Sequence, residues 1–178
     1  TAVKGMNLTW TAGQSCGSTS RLLVHESLYD DVVEGVTEAF SQLKLGIPSD
    51  KRTEMGCLTT GPHFNKVRDY LAIGLAEGAK MTTGGLPDQS PHPDGYFVRP
   101  TVFSDVDPNM RIANEEIFGP ILSVIPWKSD NQVLEIANSV DYGLTAGILS
   151  NDINQALRMS REIQAGYCLL YTSDAADE

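Results

Sequence analysis

The run Ile121-Leu122-Ser123-Val124-Ile125 limits the fold more than any other stretch of this chain. It is β-branched and uninterrupted, as a strand covered on both faces is, and such strands lie inside sheets flanked by helices. The neighbouring segments agree. Arg21-Leu22-Leu23-Val24-His25 has strand character, and Tyr29 to Leu43 sets Val32, Val33, Val36, Ala39, Phe40 and Leu43 at helical spacing. Gly46 and Pro48 stop that helix. Gly61-Pro62 opens a second one, in which Phe64, Val67, Leu71 and Leu75 predict a buried stripe ending near Gly78. Ala79 to Thr83 reads as a short strand, residues 84–94 as a turn-rich surface loop, and Tyr96-Phe97-Val98 leads into Pro100-Thr101-Val102-Phe103. Farther on, Asp130 is expected to cap a helix carrying Val133, Leu134, Ile136 and Ala137. Ala146 to Leu149 forms another strand, and Asn151 or Asp152 caps a last helix through Met159. Strands alternating with helices predict an α/β fold, a largely parallel sheet with helices on both faces.

A chain of 178 residues, 41% hydrophobic, is long enough for one domain with its own core. Its formal charge of -10 and pI near 4.6 repel phosphates, which argues against nucleic acid or an anionic membrane and for small molecules or proteins as partners. No apolar run reaches the roughly 18 residues of a membrane span, and no secretion signal opens the chain. Cys16, Cys57 and Cys168 form no CxxC pair, and His25, His63 and His92 are scattered, so neither zinc nor a disulfide framework is expected. An odd number of thiols suits a reducing compartment, by default the cytoplasm. The start, Thr1 to Met6, runs straight into a loop of catalytic composition, as if the chain began mid-protein. The end, residues 168–178, departs from the pattern and resembles the conceptual translation of a sequencing adapter. Leaving out this non-native segment, with Asp174, Asp177 and Glu178, the charge is still acidic, and residues 1–167 make up the domain.

Cys16 is the residue whose surroundings favour covalent chemistry. Gly13, Gln14, Ser15, Gly17, Ser18, Thr19 and Ser20 are small or polar, so a loop can expose the sulfur and aim backbone N–H groups at one point, where they would stabilise an oxyanion. A helical turn beginning there would also lower the thiol pKa. Trp10, six residues earlier, can wall an apolar substrate pocket. On composition alone a free cysteine is more often a small buried hydrophobe. A Cys-His hydrolase is disfavoured because His25 falls on a predicted strand and no glycine-framed second histidine follows.

Gly13-Gln14-Ser15-Cys16, followed by Ser20-Arg21, resembles the active-site cysteine motif of the aldehyde dehydrogenase superfamily. The resemblance continues through Gly84-Gly85, Gly95-Tyr96-Phe97, Pro100-Thr101-Val102-Phe103, Glu115-Glu116-Ile117-Phe118-Gly119-Pro120, Ala137-Asn138 and Tyr142-Gly143-Leu144, in the family's order. It covers Lys4 to about Tyr167 and implies part of a catalytic domain. By this resemblance Cys16 attacks an aldehyde to give a thiohemiacetal, hydride passes to NAD or NADP, and water hydrolyses the thioester to a carboxylic acid. The family's oxyanion-hole asparagine and glutamate base belong to preceding segments, as does its dinucleotide-binding domain, and its oligomerisation interface to later ones. The chain alone is therefore expected to be inactive, and its parent to be a homo-oligomer.

In the family the glutamate directly before Ile-Phe-Gly-Pro accepts hydrogen bonds from the nicotinamide ribose, and the Phe packs near the nicotinamide, which implies these roles for Glu116 and Phe118. A carboxylate suits two vicinal hydroxyls because it offers two acceptor oxygens. Lys66 matches a position that contacts the same ribose in many members, although a lysine on an amphipathic helix is also an ordinary solvated residue. His63 stands where Gln is common, and Cys57 reads as packing. Two alternatives stay open: a non-catalytic structural or binding relative, and a member that hands the acyl group to coenzyme A.

Overall fold

The structure, a computed structural model, describes residues 2–171. The chain forms two compact units that divide between Pro126 and Trp127. The first holds the short helices α1 (Ala2–Gly5) and α2 (Leu8–Thr11), strand β1 (Arg21–His25), helices α3 (Tyr29–Ser41) and α4 (Gly61–Ala76), strands β2 (Lys80–Gly85) and β3 (Arg99–Ser104), the single turn α5 (Arg111–Asn114) and β4, which starts at Ile121 and ends at Trp127. The second holds α6 (Asp130–Ala137), β5 (Thr145–Leu149), α7 (Ile153–Glu162) and β6 (Tyr167–Tyr171). Among the described residues no helix is long and apolar enough to cross a membrane.

The sheet of the first unit has the order β1-β4-β3-β2. β3 and β4 run parallel, with Thr101 opposite Ile121 and Phe103 opposite Ser123. All five residues of Ile121–Ile125 are buried, as the apolar run requires. Side chains alternate across β3: Phe103 meets Gly74 of α4, so Val102 faces the other way, and both are completely buried. α3 packs along β2 and β3, burying Val36 and Phe40. Tyr29, at its first turn, accepts the Asp105 N–H at 2.7 Å and donates to Val124 O at 3.2 Å, which ties the helix start to the end of the sheet.

Several local expectations are corrected. β2 and β3 are antiparallel, because residues 86–98 join them as an irregular loop with no crossover helix. Gly84 and Gly85 stay in β2 instead of opening the loop; the ladder shifts register there, and Gly84, at φ 108, lies so close to Thr101 that a Cβ would sit 2.4 Å from its Cα. The buried stripe of α4 is Val67, Tyr70, Leu71 and Gly74, while Leu75, turned about 100° beyond Gly74, is half exposed.

The second unit pairs β5 and β6 in parallel, from Thr145–Tyr167 to Leu149–Tyr171. Ser129, not Asp130, caps α6 by accepting the Gln132 N–H. Asp130 instead reaches across to α7, accepting from Gln155 Nε2 at 2.9 Å and pairing with Arg158. Asp152 caps α7, taking the N–H groups of Asn154 and Gln155. Of the segment read as non-native, Cys168 to Tyr171 lie in β6, and residues 172–178 lie outside the described residues.

Phe103 has no exposed surface and fills the contact between the sheet and α4. Phe103→Ala is expected to cost about 3–5 kcal/mol of stability, measured by urea unfolding, through lost burial and the cavity left behind.

Candidate active site

Two loops of the first unit meet backbone to backbone, and Cys16, Glu116 and Phe118 stand on them, with Trp10 on α2 and Lys66 on α4. One loop follows α2. Ala12 and Gly13 are both left-handed, at φ 53 and 73, which reverses the chain directly after the helix. A Cβ on Gly13 would lie 2.3 Å from the carbonyl oxygen of Gly119 on the second loop, so the missing side chain is what lets the loops touch. Gln14 then fastens the turn: its Nε2 donates to Thr11 O at 2.9 Å, and its Oε1 accepts from Thr59 N at 3.0 Å and Thr59 Oγ1 at 3.1 Å.

Ser15 to Ser18 close a tight turn, with Ser18 N–H donating to Ser15 O at 3.0 Å and Gly17 N–H to Ser15 Oγ at 3.2 Å. Cys16 sits exposed at the corner of this turn. No helix begins at Cys16; what the turn supplies is exposure and an N–H that no described residue accepts. Below the turn, Thr19 N–H donates to Gly5 O at 2.9 Å. Cys57 and Cys168 are half-buried, and burial pushes the Cys168 thiol up. Trp10, on α2, is 88% exposed. His25 is occupied with its own chain, its ring nitrogen accepting from Ser27 N and lying 2.8 Å from Ser27 Oγ.

The second loop, residues 115–120, joins α5 to β4. Residues 63, 66, 67 and 70 share one side of α4, at the i, i+3, i+4, i+7 spacing, and each touches a different residue of this loop. His63 Nε2–H donates to Phe118 O at 2.7 Å, Lys66 Nζ donates to Glu116 O at 2.8 Å, and Tyr70 donates its hydroxyl to Glu115. Val67 packs on Gly119 so closely that a Cβ there would meet it at 2.8 Å. Phe118 is held at φ 63, a left-handed conformation unusual for a bulky residue, and its ring is 37% exposed.

The two adjacent glutamates have opposite surroundings. Glu115 receives both arms of the Arg111 guanidinium, each at 2.8 Å, besides the Tyr70 hydroxyl. Glu116 is exposed, and its carboxylate makes no hydrogen bond or ion pair with a described residue. The structure thus brings Glu116, Phe118 and Lys66 to one loop and helix face, joins that loop to the Cys16 turn through Gly13 and Gly119, and leaves Trp10 on the open surface of α2. Sequence reading named Gln14 only as part of the cysteine motif, without its bonds to Thr11 and Thr59, and missed Tyr70 and Arg111. Tyr70 sits in the apolar stripe between Val67 and Leu71 and so passes for core, whereas the i, i+4 spacing of Arg111 and Glu115 is a readable signal of a pair.

The Arg111 guanidinium, and after it the Tyr70 hydroxyl, holds the Glu115 carboxyl down to about 2. Burial first, and then this carboxylate, raises the Tyr70 hydroxyl. Because folding lowers the Glu115 pKa, its contribution is complete above the ordinary carboxylate range of about 4.3 and is lost as the pH falls through about 2. A carbon-detected NMR titration is expected to find Glu115 still ionised at about pH 3, and Glu115→Gln is expected to remove the acid sensitivity of the 115–120 loop. For the contact between the loops, Gly13→Ala combines a left-handed φ with a clash on backbone, and is expected to cost about 2 kcal/mol or more in chemical denaturation.

The sequence model of the aldehyde dehydrogenase family matches residues 2–178. The aldehyde dehydrogenase tropH of Talaromyces stipitatus is 44% identical over 168 residues, which make up 92% of this chain and 32% of that relative. A mutant aldehyde dehydrogenase from Bacillus cereus superposes with a TM-score of 0.88 at 37% identity, covering 95% of this chain and 33% of that one. A betaine aldehyde dehydrogenase from Staphylococcus aureus, solved in complex with NAD+, gives 0.89 at 33% identity, over 97% of this chain and 35% of that one. The chain spans about a third of the length of the relatives it matches. With sequence and fold matching over nearly its whole described length, this chain belongs to the aldehyde dehydrogenase family.

Proposed function

We propose that this chain carries the nucleophile and the nicotinamide-ribose half of an active site that oxidises an aldehyde to a carboxylic acid with NAD or NADP as acceptor. The observation that carries this reading is the packing of Gly13 on Gly119, which holds the exposed Cys16 turn against the loop that presents Glu116 and Phe118. The residues fit a nicotinamide ribose. Glu116 offers two free acceptor oxygens for vicinal hydroxyls, Lys66 keeps two N–H donors beyond the one used on Glu116 O, and the half-exposed Phe118 ring gives a flat apolar contact.

The Cys16 sulfur, as thiolate, attacks the carbonyl carbon, and a C–S bond forms as the C=O electron pair moves onto oxygen. The Cys16 N–H is free to meet that oxyanion in the thiohemiacetal. When bound, the oxidised nicotinamide supplies the hydride acceptor, and the oxygen lone pair reforms the carbonyl as hydride leaves carbon. Cys16 then holds a thioester; water attacks it, its oxygen going to the carboxylic acid and one of its protons to the leaving Cys16 sulfur, which ionises again for the next turnover. Glu116 and Lys66 would act by orientation, holding the ribose hydroxyls through hydrogen bonds. Trp10 is proposed as a wall for the aldehyde. Turnover is proposed for the complete enzyme, a cytoplasmic homo-oligomer, and not for these 178 residues alone.

Peptide mapping after limited iodoacetamide treatment of this chain is expected to find Cys16 modified before the half-buried Cys57 and Cys168. In the complete enzyme, Cys16→Ser is expected to reduce aldehyde oxidation by on the order of 10³-fold or more while leaving cofactor affinity unchanged. Unchanged turnover in that variant overturns the mechanism.

A further inference from the structure

We propose that Tyr70, Glu115 and Arg111 form a positioning unit that aims the neighbouring Glu116 carboxylate at the nicotinamide ribose. This rests on the reading of Glu116 given above. Glu115 leaves α5 with extended backbone, at φ -100 and ψ 142, and Glu116 is the next residue, so the side chain that anchors this segment stands directly before the one that is free. Immobilising Glu115 therefore fixes the backbone from which Glu116 projects.

The immobilisation is thorough. Both Glu115 oxygens are engaged: Oε1 accepts from Arg111 Nε, and Oε2 accepts from Arg111 Nη2 and from Tyr70. A two-armed guanidinium fork fixes a carboxylate in plane and direction, which a single point contact does not. The holders are themselves anchored. Tyr70 is buried in α4, and the Arg111 backbone N–H donates to Glu77 Oε2 at 2.9 Å. The guanidinium also lies 5.6 Å from the centre of the Tyr70 ring, and the Lys66 ammonium lies 5.8 Å from it.

On the far side of Glu116 the chain is equally constrained. Its carbonyl accepts from Lys66, and Ile117 is 4% exposed. What remains free at Glu116 is its own side chain, whose stem leaves the backbone in a direction set by its neighbours. Tyr70, Glu115 and Arg111 are thus positioning residues, acting on a ribose through Glu116.

The test uses the full 178-residue chain, ¹⁵N-labelled, with nicotinamide mononucleotide as the probe. Tyr70→Phe and Glu115→Gln are each expected to weaken the probe roughly fivefold or more and to lower the order parameters of the Glu116 and Ile117 amides from about 0.85 toward 0.6. Arg111→Lys keeps the charge but loses the fork, and is expected to behave like Glu115→Gln. Glu116→Gln is expected to weaken the probe with the order parameters unchanged. Adding Tyr70→Phe to Glu116→Gln is expected to cost no further affinity, because Tyr70 acts through Glu116. If Glu116→Gln weakens binding while the Tyr70, Glu115 and Arg111 variants do not, the positioning role is overturned and the ribose reading stands. An additive loss in the double variant also overturns it, since a purely structural effect would not depend on Glu116. If Glu116→Gln has no effect on the probe, the ribose reading falls and takes the proposal with it.

Discussion

The backbone of Gly13 lies against the carbonyl of Gly119, with no room for a side chain between them, and the rest of the site depends on that contact. Each loop is otherwise held by its own side of the molecule. The Cys16 turn hangs from α2 and from Thr59 through Gln14, while the 115–120 loop hangs from α4 and leads into β4. The missing Cβ and left-handed φ of Gly13 let the loop backbones touch, while the pairing of β1 with β4, beginning with Ser123 N–H donating to Ser20 O at 2.9 Å, brings the two segments side by side. Pro120 extends the same geometry into the sheet, its carbonyl taking the Thr101 N–H at 2.8 Å, so the two-loop junction continues directly into the buried β3–β4 pair.

A second organising feature is the division of labour along α4. Its buried stripe, Val67, Tyr70, Leu71 and Gly74, seats the helix on the unit, while His63, Lys66 and Tyr70 hold the loop. Tyr70 belongs to both sets: its ring is core and its hydroxyl reaches Glu115. One residue thus couples helix seating to loop shape, and the helix cannot rotate to improve its packing without disturbing the site.

Much of this was legible in the residues. The β4 strand was readable because an unbroken apolar run of that length has few other uses, and the exposure of Cys16 because its neighbours are too small and polar to bury it. The Gly84-Gly85 pair was taken for the start of a loop because glycine signals a turn and a bulged strand equally well. The antiparallel course of β2 and β3 depends on how residues 86–98 return the chain, which no local pattern encodes. The choice of Glu116 over Glu115 came from a family resemblance; bonding to Arg111 and Tyr70 gives it a physical basis, since a saturated carboxylate has little left for a ligand. Tyr70 stayed hidden because its partner lies 45 residues away in sequence.

The spacing of the gripping residues on α4 makes that helix a ruler for the loop. Each residue advances about 1.5 Å along the axis and turns about 100°, so His63, Lys66 and Tyr70 point the same way and meet Phe118, Glu116 and Glu115 in reverse chain order. A slip of one residue would swing His63, Lys66 and Tyr70 away together, not one after another. The shape of the loop is therefore kept in discrete steps: it matches the helix at these three points or loses them together.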